Sequence, residues 1–183
     1  MPITMAPGGD KVSLVVRYLD GKQELATGPI SDERGGGLAI LQVNAADGTL
    51  VAHKAFHGPT MDRNPNVPID GSIYLTGGIE NERVNFGGGV IPPDDDDANP
   101  AQNGYLAVVG HDGSHQLSHG WGGSRNNETF EIHLLEGQFL MPDRKGGYWF
   151  LGHYLGDMKF TADNPLPKGD DRQFVLVHFK EAP

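Results

Sequence analysis

Four consecutive aspartates, Asp94 to Asp97, form the densest group of charged side chains in this sequence, and Asn99 follows closely. Hard cations such as Ca²⁺ bind several carboxylate and amide oxygens on a flexible loop. The run lacks the spaced ligands and central glycine of an EF-hand, and a solvated insertion between strands is the more ordinary explanation. Ca²⁺ binding through Asp94, Asp95, Asp96 and Asp97 is therefore a hypothesis, and no other cofactor is predicted.

Histidine is the second residue type with metal-binding chemistry, and eight are present. His111, His115 and His119 lie close in sequence, and His53 and His57 repeat the spacing of four. Residues four apart on a strand are separated by about 13 Å, which is too far for two side chains to share one ion. The spacing therefore favours polar positions at strand edges or turns over a metal site.

Motifs for covalent or phosphate chemistry are missing from the sequence. The absence of cysteine excludes disulfides, thiolate metal sites and a cysteine nucleophile. No Gly-x-Ser-x-Gly elbow is present, and the glycine runs at 35–37 and 87–89 lack the Lys-Ser/Thr tail of a phosphate loop. A hydrolase or lyase acting on sugars stays open as an alternative, if the fold pairs carboxylates such as Asp157, Asp163 or Glu128.

Aromatic side chains are the remaining candidates for ligand binding, because their faces can stack on sugar rings. The candidates are Tyr74, Trp121, Trp149 and Tyr154. Several aromatics recur at equivalent positions of an internal repeat, which favours packing instead. Trp149 has the best claim to exposure, because it lies between Tyr148 and Phe150 and neighbours in a strand face opposite ways.

The elements that carry these residues are predicted to be strands of a repeated unit. Similar apolar runs begin at Leu38, Leu106 and Phe174, which are equally spaced along the chain, and we call this spacing the repeat interval. The first two runs lead to Asp47-Gly48 and Asp112-Gly113, which predict tight hairpin turns because glycine adopts positive φ without a steric clash. Equal spacing of similar strands indicates a repeat protein.

A second landmark precedes each apolar run. Residues 71–77 match residues 146–152, and residues 23–28 form a weaker version. A short strand that ends on an aromatic follows the two clear copies, at 84–86 and 158–160. Each repeat therefore reads as four short strands, and the third copy lacks its last one.

Periodicity predicts strands elsewhere and no helix. Residues 128–140 alternate between apolar and polar side chains, which is the strand period. Residues 12–19 also read as a strand, which could supply the fourth strand of the last repeat. The turn at Asp112-Gly113 pairs Val108 with Leu117 while Val109 faces the other way, so both faces of this hairpin are expected to be covered.

These landmarks resemble the bacterial β-propeller repeat, in which a strand ending in Gly, a Phe-Gly-Gly segment, a Phe-Val-Ala-Lys strand, Asp-Gly and an aromatic strand with Gly-Gly follow one another. The matching segments are residues 71–77, 84–88, 105–109, 112–113 and 121–123. The resemblance covers nearly all of 70–123, most of 146–180 and, loosely, 21–58. Gln42, Gly110 and His178 replace the usual lysine.

The predicted fold is a single all-β domain over 1–183, with three blade-like four-stranded antiparallel repeats near 12–58, 70–123 and 146–180. Propellers usually have 4–8 blades, so three repeats imply a partial propeller or one completed by oligomerisation. A β-trefoil and an irregular β-sandwich are the alternatives.

Charge and hydropathy exclude several classes of partner. The net charge of −10 opposes binding to nucleic acid or an anionic membrane, and no apolar run is long enough to span a bilayer. Residues 1–10 lack the pattern of a signal peptide. The compartment stays open, although the resemblance implies an extracytoplasmic location.

The favoured function is a non-enzymatic binding or structural assembly module that engages a protein partner or a glycan. A partial propeller would expose apolar end faces and strand edges, which natural proteins cover. We therefore expect a homo-oligomer or a subunit of a larger assembly. The expected contacts are the N-terminal strand and residues 174–180.

Overall fold

Antiparallel strands joined by turns make up the described part of the chain. The computed structural model describes residues 4–18, 23–30, 36–57, 71–79, 84–91, 103–121, 125–126, 131–132, 134–143, 145–156, 159–161, 164–167 and 169–180. Within these ranges the fold is all-β, as the strand periodicity predicts, and no helix is present. Accordingly, these residues include no helix long and apolar enough to cross a membrane.

The described residues contain eighteen strands. In chain order they are β1 (Thr4–Gly8), β2 (Lys11–Tyr18), β3 (Gln23–Leu25), β4 (Gly28–Ile30), β5 (Gly37–Asn44), β6 (Leu50–His57), β7 (Ile73–Ile79), β8 (Val84–Asn85), β9 (Val90–Ile91), β10 (Asn103–Val109), β11 (His115–Trp121), β12 (Arg125–Asn126), β13 (Glu131–Ile132), β14 (Leu134–Pro142), β15 (Tyr148–Gly156), β16 (Lys159–Thr161), β17 (Asn164–Pro165) and β18 (Gly169–Phe179).

Three larger sheets share one order of elements. The first sheet has the order β1-β2-β5-β6, the second β11-β10-β7 and the third β14-β15-β18, with antiparallel neighbours throughout. In each sheet a small two-stranded hairpin interrupts one strand connection: β3–β4 between β2 and β5, β8–β9 between β7 and β10, and β16–β17 between β15 and β18. The long strand, the small hairpin and the strand after it therefore recur three times along the chain. Among the described residues only the first sheet has the predicted four strands, and the short strands predicted at 84–86 and 158–160 belong to the hairpins and not to the larger sheets.

The first two sheets share a buried cluster. Leu38 and Ile40 of β5 belong to this cluster together with Tyr105 and Ala107 of β10, and Phe86 after β8 joins them. Side chains alternate between the two faces of a strand. Strand β5 therefore turns alternate residues toward the second sheet, and β10 turns alternate residues back toward the first.

The second sheet is covered on its other face by the third sheet. Leu106 and Val108 alternate with the β10 residues named above, and they share a second cluster with Leu140 of β14 and Phe150 of β15. The expectation that both faces of this hairpin are covered is therefore confirmed. Each sheet has two faces, which we name by direction along the chain. The leading face points toward the next sheet in chain order, or away from the preceding sheet. The trailing face is the opposite one.

Residues one repeat interval apart in the sequence lie at equivalent positions of consecutive sheets in the stack. Leu38 and Leu106 lie on the leading faces of the first and second sheets, where each is 1% exposed. Val175 and Val177 of β18 pack against the second cluster on the trailing face of the third sheet. Phe174 alternates with them and so takes the leading face, in the same orientation as Leu38 and Leu106.

Buried polar contacts fix the first two sheets against each other. Ser13 and Gln42 are cross-strand neighbours on the leading face of the first sheet, and both are buried. Their side chains donate hydrogen bonds to the carbonyl of His111 in the β10–β11 turn, at 3.0 Å from Gln42 Nε2. A buried amide and hydroxyl thus have partners, which removes the cost of burying them unpaired.

Close backbone approach fixes the second sheet against the third. Thr76 of β7 donates a hydrogen bond to the carbonyl of Tyr105 at 2.7 Å and lies against Gly137 of β14. A Cβ at position 137 would overlap Thr76 Oγ1. Only glycine therefore lets β14 come this close to β7.

The hairpin turns are longer than the predicted two-residue turns, although the strand register is as predicted. Gly113 has φ of 79° and donates to the carbonyl of Gly110, and Gly110 donates to the carbonyl of Ser114. This is a three-residue loop, and a β-bulge beside Val109 restores the pairing of Val108 with Leu117. Gly48 takes the same left-handed conformation, with φ of 73°.

Two expectations about the first repeat are wrong. Residues 23–28 do not match the long strand of the other repeats but belong to the small hairpin β3–β4, and β2 is the long strand. Strand β2 pairs with β1 on one edge and with β5 on the other. With both edges used, it cannot supply a fourth strand to the last sheet.

Candidate interaction surface

Three of the four aromatics predicted to bind a ligand lie inside the stack. Tyr74, Trp121 and Tyr154 belong to the buried cluster between the second and third sheets. The Tyr154 hydroxyl donates to the carbonyl of Pro167 at 2.8 Å, which gives its polar end a partner. The structure brings these rings together as packing residues, the explanation that their recurrence favours, and Trp149 lies on the opposite face of β15.

The acidic run from Asp94 to Asp97 lies outside the described residues, as do Asp157, Asp163 and Glu128. The run falls between Ile91, where β9 ends, and Asn103, where β10 begins. In the ranges that the structure describes, no group of three or more His, Asp or Glu side chains could hold a metal ion. Ca²⁺ binding by the run stays a prediction.

The histidines on the first two sheets contact neighbours of other types. His119 is half-buried, and this burial lowers its pKa from the ordinary value of 6.5. The contacts are His53 with Thr27, His57 with Tyr18, His115 with Ser118, and His119 with Trp121. Each of these histidines contacts a tyrosine, threonine, serine or tryptophan side chain. These contacts agree with the preference for polar positions at strand edges or turns.

The most distinctive surface in the described chain is the leading face of the third sheet. Strand pairing places Met141 opposite Trp149, Leu151 opposite Leu176, and His153 opposite Phe174 on this one face. The exposed members are Phe139 (47%), Met141 (53%), Trp149 (39%), Phe174 (77%) and Leu176 (63%). The alternate residues of the same strands, including Leu140 and Phe150, lie in the second cluster.

This face is mostly apolar. Its positions include Phe139, Met141, Trp149, Leu151, Phe174 and Leu176, together with His153 and His178. Charged residues lie toward one end, where Glu136 pairs with His153 and Arg172 alternates with Phe174 on β18. A sheet with one face in solvent normally alternates apolar and polar side chains, whereas the middle of the third sheet, around Leu151 and Leu176, is apolar on both faces.

One corner of this face is held by a small network around the β14–β15 turn. The Trp149 ring stacks on His178, with centroids 4.2 Å apart and planes at 10°. His178 Nε2 lies 2.7 Å from Asp143 Oδ2, and Asp143 Oδ1 accepts from the backbone amides of Lys145 and Gly147. The hydrogen bond to His178, followed by the backbone bonds, lowers the pKa of the Asp143 carboxyl. Trp149 is thus positioned with one ring face against the imidazole.

The trailing face of the first sheet forms the other end of the stack. Tyr18, Ile30 and Ala39 form a third buried cluster there. Val16, Leu25, Leu41 and Ala55 pack against that cluster and are only partly buried. Ile30 and Leu25 come from the hairpin β3–β4, so that hairpin covers part of this face.

Sequence reasoning identified part of this surface. Trp149 was predicted to bind a ligand and residues 174–180 to contact a partner, whereas Phe139 and Met141 were missed. Strand alternation from Leu140, together with the pairing of Met141 with Trp149, would have placed both on the same face. The face that points outward, however, follows from the position of the second sheet.

Comparisons of the chain with protein-family models, with curated proteins and with solved structures found no match. The resemblance to the bacterial propeller repeat therefore rests on the segments quoted above. Function is inferred below from the chemistry of the leading face of the third sheet.

Proposed function

We propose that this protein is a non-enzymatic assembly module that binds another protein surface through the leading face of its third sheet. The observation that carries the proposal is the set of five large apolar side chains exposed on that one face. Contiguous exposed apolar surface in a soluble protein usually marks an interaction site. Covering Phe174 and Leu176 alone would favour association by about 2–4 kcal/mol, before the entropy of association is counted.

The scaffold for this function is proposed to be a partial β-propeller of the kind that the repeat resembles. Three features support it: the recurring element order, the constant repeat interval, and a second sheet covered on both faces. Propellers stack their blades face to face in this manner and use 4–8 of them. A β-trefoil is less favoured, because the described strands pair into separate open sheets.

A protein partner fits this surface better than a glycan does. A sugar site combines an aromatic face with polar groups that bind hydroxyls. Here the cross-strand neighbour of Trp149 on β14 is the apolar Met141. The nearest polar ring, His178, lies against the indole and is hydrogen-bonded to Asp143. Phe174 and Leu176 add apolar area that hydroxyl-rich ligands do not require.

The proposal is tested with the double variant Phe174→Lys/Leu176→Lys. In dilute solution the wild-type chain should bind a hydrophobic fluorescent dye such as ANS through this face, and the variant should lose most of that binding. Val51→Lys/Val90→Lys is the matched control, because these valines are also exposed (43% and 46%) but lie on other strands. Both variants change the net charge equally.

Two outcomes would reject an interaction surface here. One is a wild-type chain that binds no dye in dilute solution. The other is equal dye binding by the leading-face variant and the control. Circular dichroism should show the same strand content for all three proteins, so that a loss of dye binding reports on the surface itself.

A further inference from the structure

We infer that the partner of this surface is a second copy of the chain, whose first sheet places its trailing face on the leading face of the third sheet. The inference rests on the assembly function proposed above and names its partner. The basis is an interface that already occurs twice inside one chain. The leading face of the first sheet covers the trailing face of the second, and the second sheet covers the third in the same way.

The leading positions are equivalent in all three sheets. Ile40 and Val108 are 1% exposed on the leading faces of the first and second sheets. Leu176 follows Val108 by one repeat interval, and it is 63% exposed. The leading face of the third sheet thus carries an apolar side chain at a position that is buried in the other two sheets. No described strand covers it.

The trailing positions are equivalent as well. Ala39 and Ala107 lie one repeat interval apart on the trailing faces of the first and second sheets, and both are fully buried. Ala107 and Leu38 of the preceding sheet belong to the first cluster. Ala39 is already buried with Tyr18 and Ile30 in the third cluster, so the partly buried Val16, Leu41 and Ala55 beside it are the positions left for Phe174 of another copy.

The small hairpins complete this equivalence. Hairpin β8–β9 contributes Val84 and Ile91 to the cluster between the first and second sheets. Hairpin β3–β4 contributes Ile30 to the cluster on the trailing face of the first sheet, and its Leu25 packs against that cluster. The free trailing face is therefore built from the same elements as the trailing face that is already covered in the second sheet.

A symmetric contact between two leading faces lacks this support. It would pair two leading faces, whereas both interfaces within the chain pair a leading face with a trailing face. Head-to-tail contacts close into a ring when the rotation allows. Two copies would stack six sheets, which lies within the range of 4–8 blades in propellers.

Cysteine cross-linking tests this geometry cleanly, because the chain has no cysteine of its own. The cross-link should reproduce, between two copies, the relation of Ile40 to Val109 within one chain. These two residues belong to the first cluster. Leu176 lies two repeat intervals after Ile40 on a leading face, and Leu41 lies one repeat interval before Val109 on a trailing face. We would prepare Leu41→Cys and Leu176→Cys as separate proteins, mix them at micromolar concentration and oxidise the mixture.

The expected result is a disulfide-linked heterodimer of twice 19.7 kDa. It should form at least about tenfold faster than a mixture of Leu41→Cys with the control Val90→Cys, because a bound copy raises the effective thiol concentration. Rapid linking of Leu176→Cys to itself would overturn the inference in favour of a symmetric dimer. Equal rates for mixture and control would overturn it as well.

Failure of the inference is distinguishable from failure of the assembly function. If the mixture links no faster than the control while the dilute chain still binds dye through Phe174 and Leu176, the surface serves a different protein. If the dye does not bind either, both proposals are rejected. Leu41→Ser/Leu176→Ser, measured by sedimentation, reports the loss of association without any thiol chemistry.

Discussion

The leading faces of the second and third sheets carry similar residues in opposite environments. Leu106 on the second sheet is 1% exposed, and Phe174, one repeat interval later, is 77% exposed. Both belong to strands that are apolar on alternate positions, and both point away from the preceding sheet. What distinguishes them is a neighbouring sheet, which covers Leu106, whereas none of the described strands covers Phe174.

This difference supports the proposal that a second protein surface covers the third sheet. A sheet that ends a stack in solvent would carry polar side chains on its outer face. The outer face here carries Phe139, Met141 and Trp149 in addition to Phe174.

Truncation of the covered face should destabilise the monomer far more than truncation of the exposed face. Leu106→Ala should lower the free energy of unfolding by about 2–5 kcal/mol, because it leaves a cavity in the second cluster. Phe174→Ala should change it by less than about 0.5 kcal/mol in dilute solution. Urea unfolding at low protein concentration measures both. Equal effects would mean that the two faces are equally buried, which would contradict the comparison.

The close approach of the second and third sheets should depend on Gly137. Gly137→Ala should lower the free energy of unfolding by about 1–3 kcal/mol, because the new methyl group overlaps Thr76 Oγ1. Adding Thr76→Ala removes Oγ1, the nearest overlapping atom, while Thr76 Cβ and Phe150 Cε2 still lie 2.9 Å from the added Cβ, so the change should recover only part of the loss. If the double variant is no more stable than the sum of the single effects predicts, this contact does not set the spacing of the sheets.

The pH dependence of stability should report the burial of the second sheet through His119. Burial lowers the pKa of His119 below its ordinary 6.5, so the unfolded chain binds a proton more readily than the folded one. This contribution to stability is present above pH 6.5 and is lost as the pH falls below that value. Thermal unfolding from pH 7.5 to 5.5 should therefore show a weaker pH dependence in His119→Gln. An unchanged slope would show that other groups cause it.

The smallest effect should come from a single exposed valine outside the proposed contact faces. Val90→Lys should change the free energy of unfolding by less than about 0.5 kcal/mol and leave association unchanged. Sedimentation velocity and urea unfolding measure the two properties. A loss of association in this variant would move the interface away from the third sheet and erase the contrast between the two faces.

Local sequence signals predicted the strands, one hairpin register and the repeat. Alternation at 128–140 predicts strands, and the described parts of that segment are β13 and β14. The pairing of Val108 with Leu117 follows from the position of Asp112-Gly113, even though the loop has three residues and a bulge. These features depend on residues close in sequence, where steric preference and periodicity act directly.

Long-range pairing was harder to predict. The segment 23–28 resembles the long strands of the other repeats, yet it forms a small hairpin, and β2 takes its expected place beside β5. A local likeness to a strand does not state which strand pairs with which. In the first sheet, β2 is the strand that pairs with β5, through eight consecutive residue pairs.

The sequence by itself determined that alternate residues of β15 share a face, so Trp149 and Tyr154 had to point in opposite directions. The tertiary structure decided which of the two was buried. Burial depends on which neighbouring sheet is present, and the second sheet covers the face that carries Tyr154 and Phe150. Trp149 and Phe174 stay exposed because none of the described sheets covers the leading face of the third sheet.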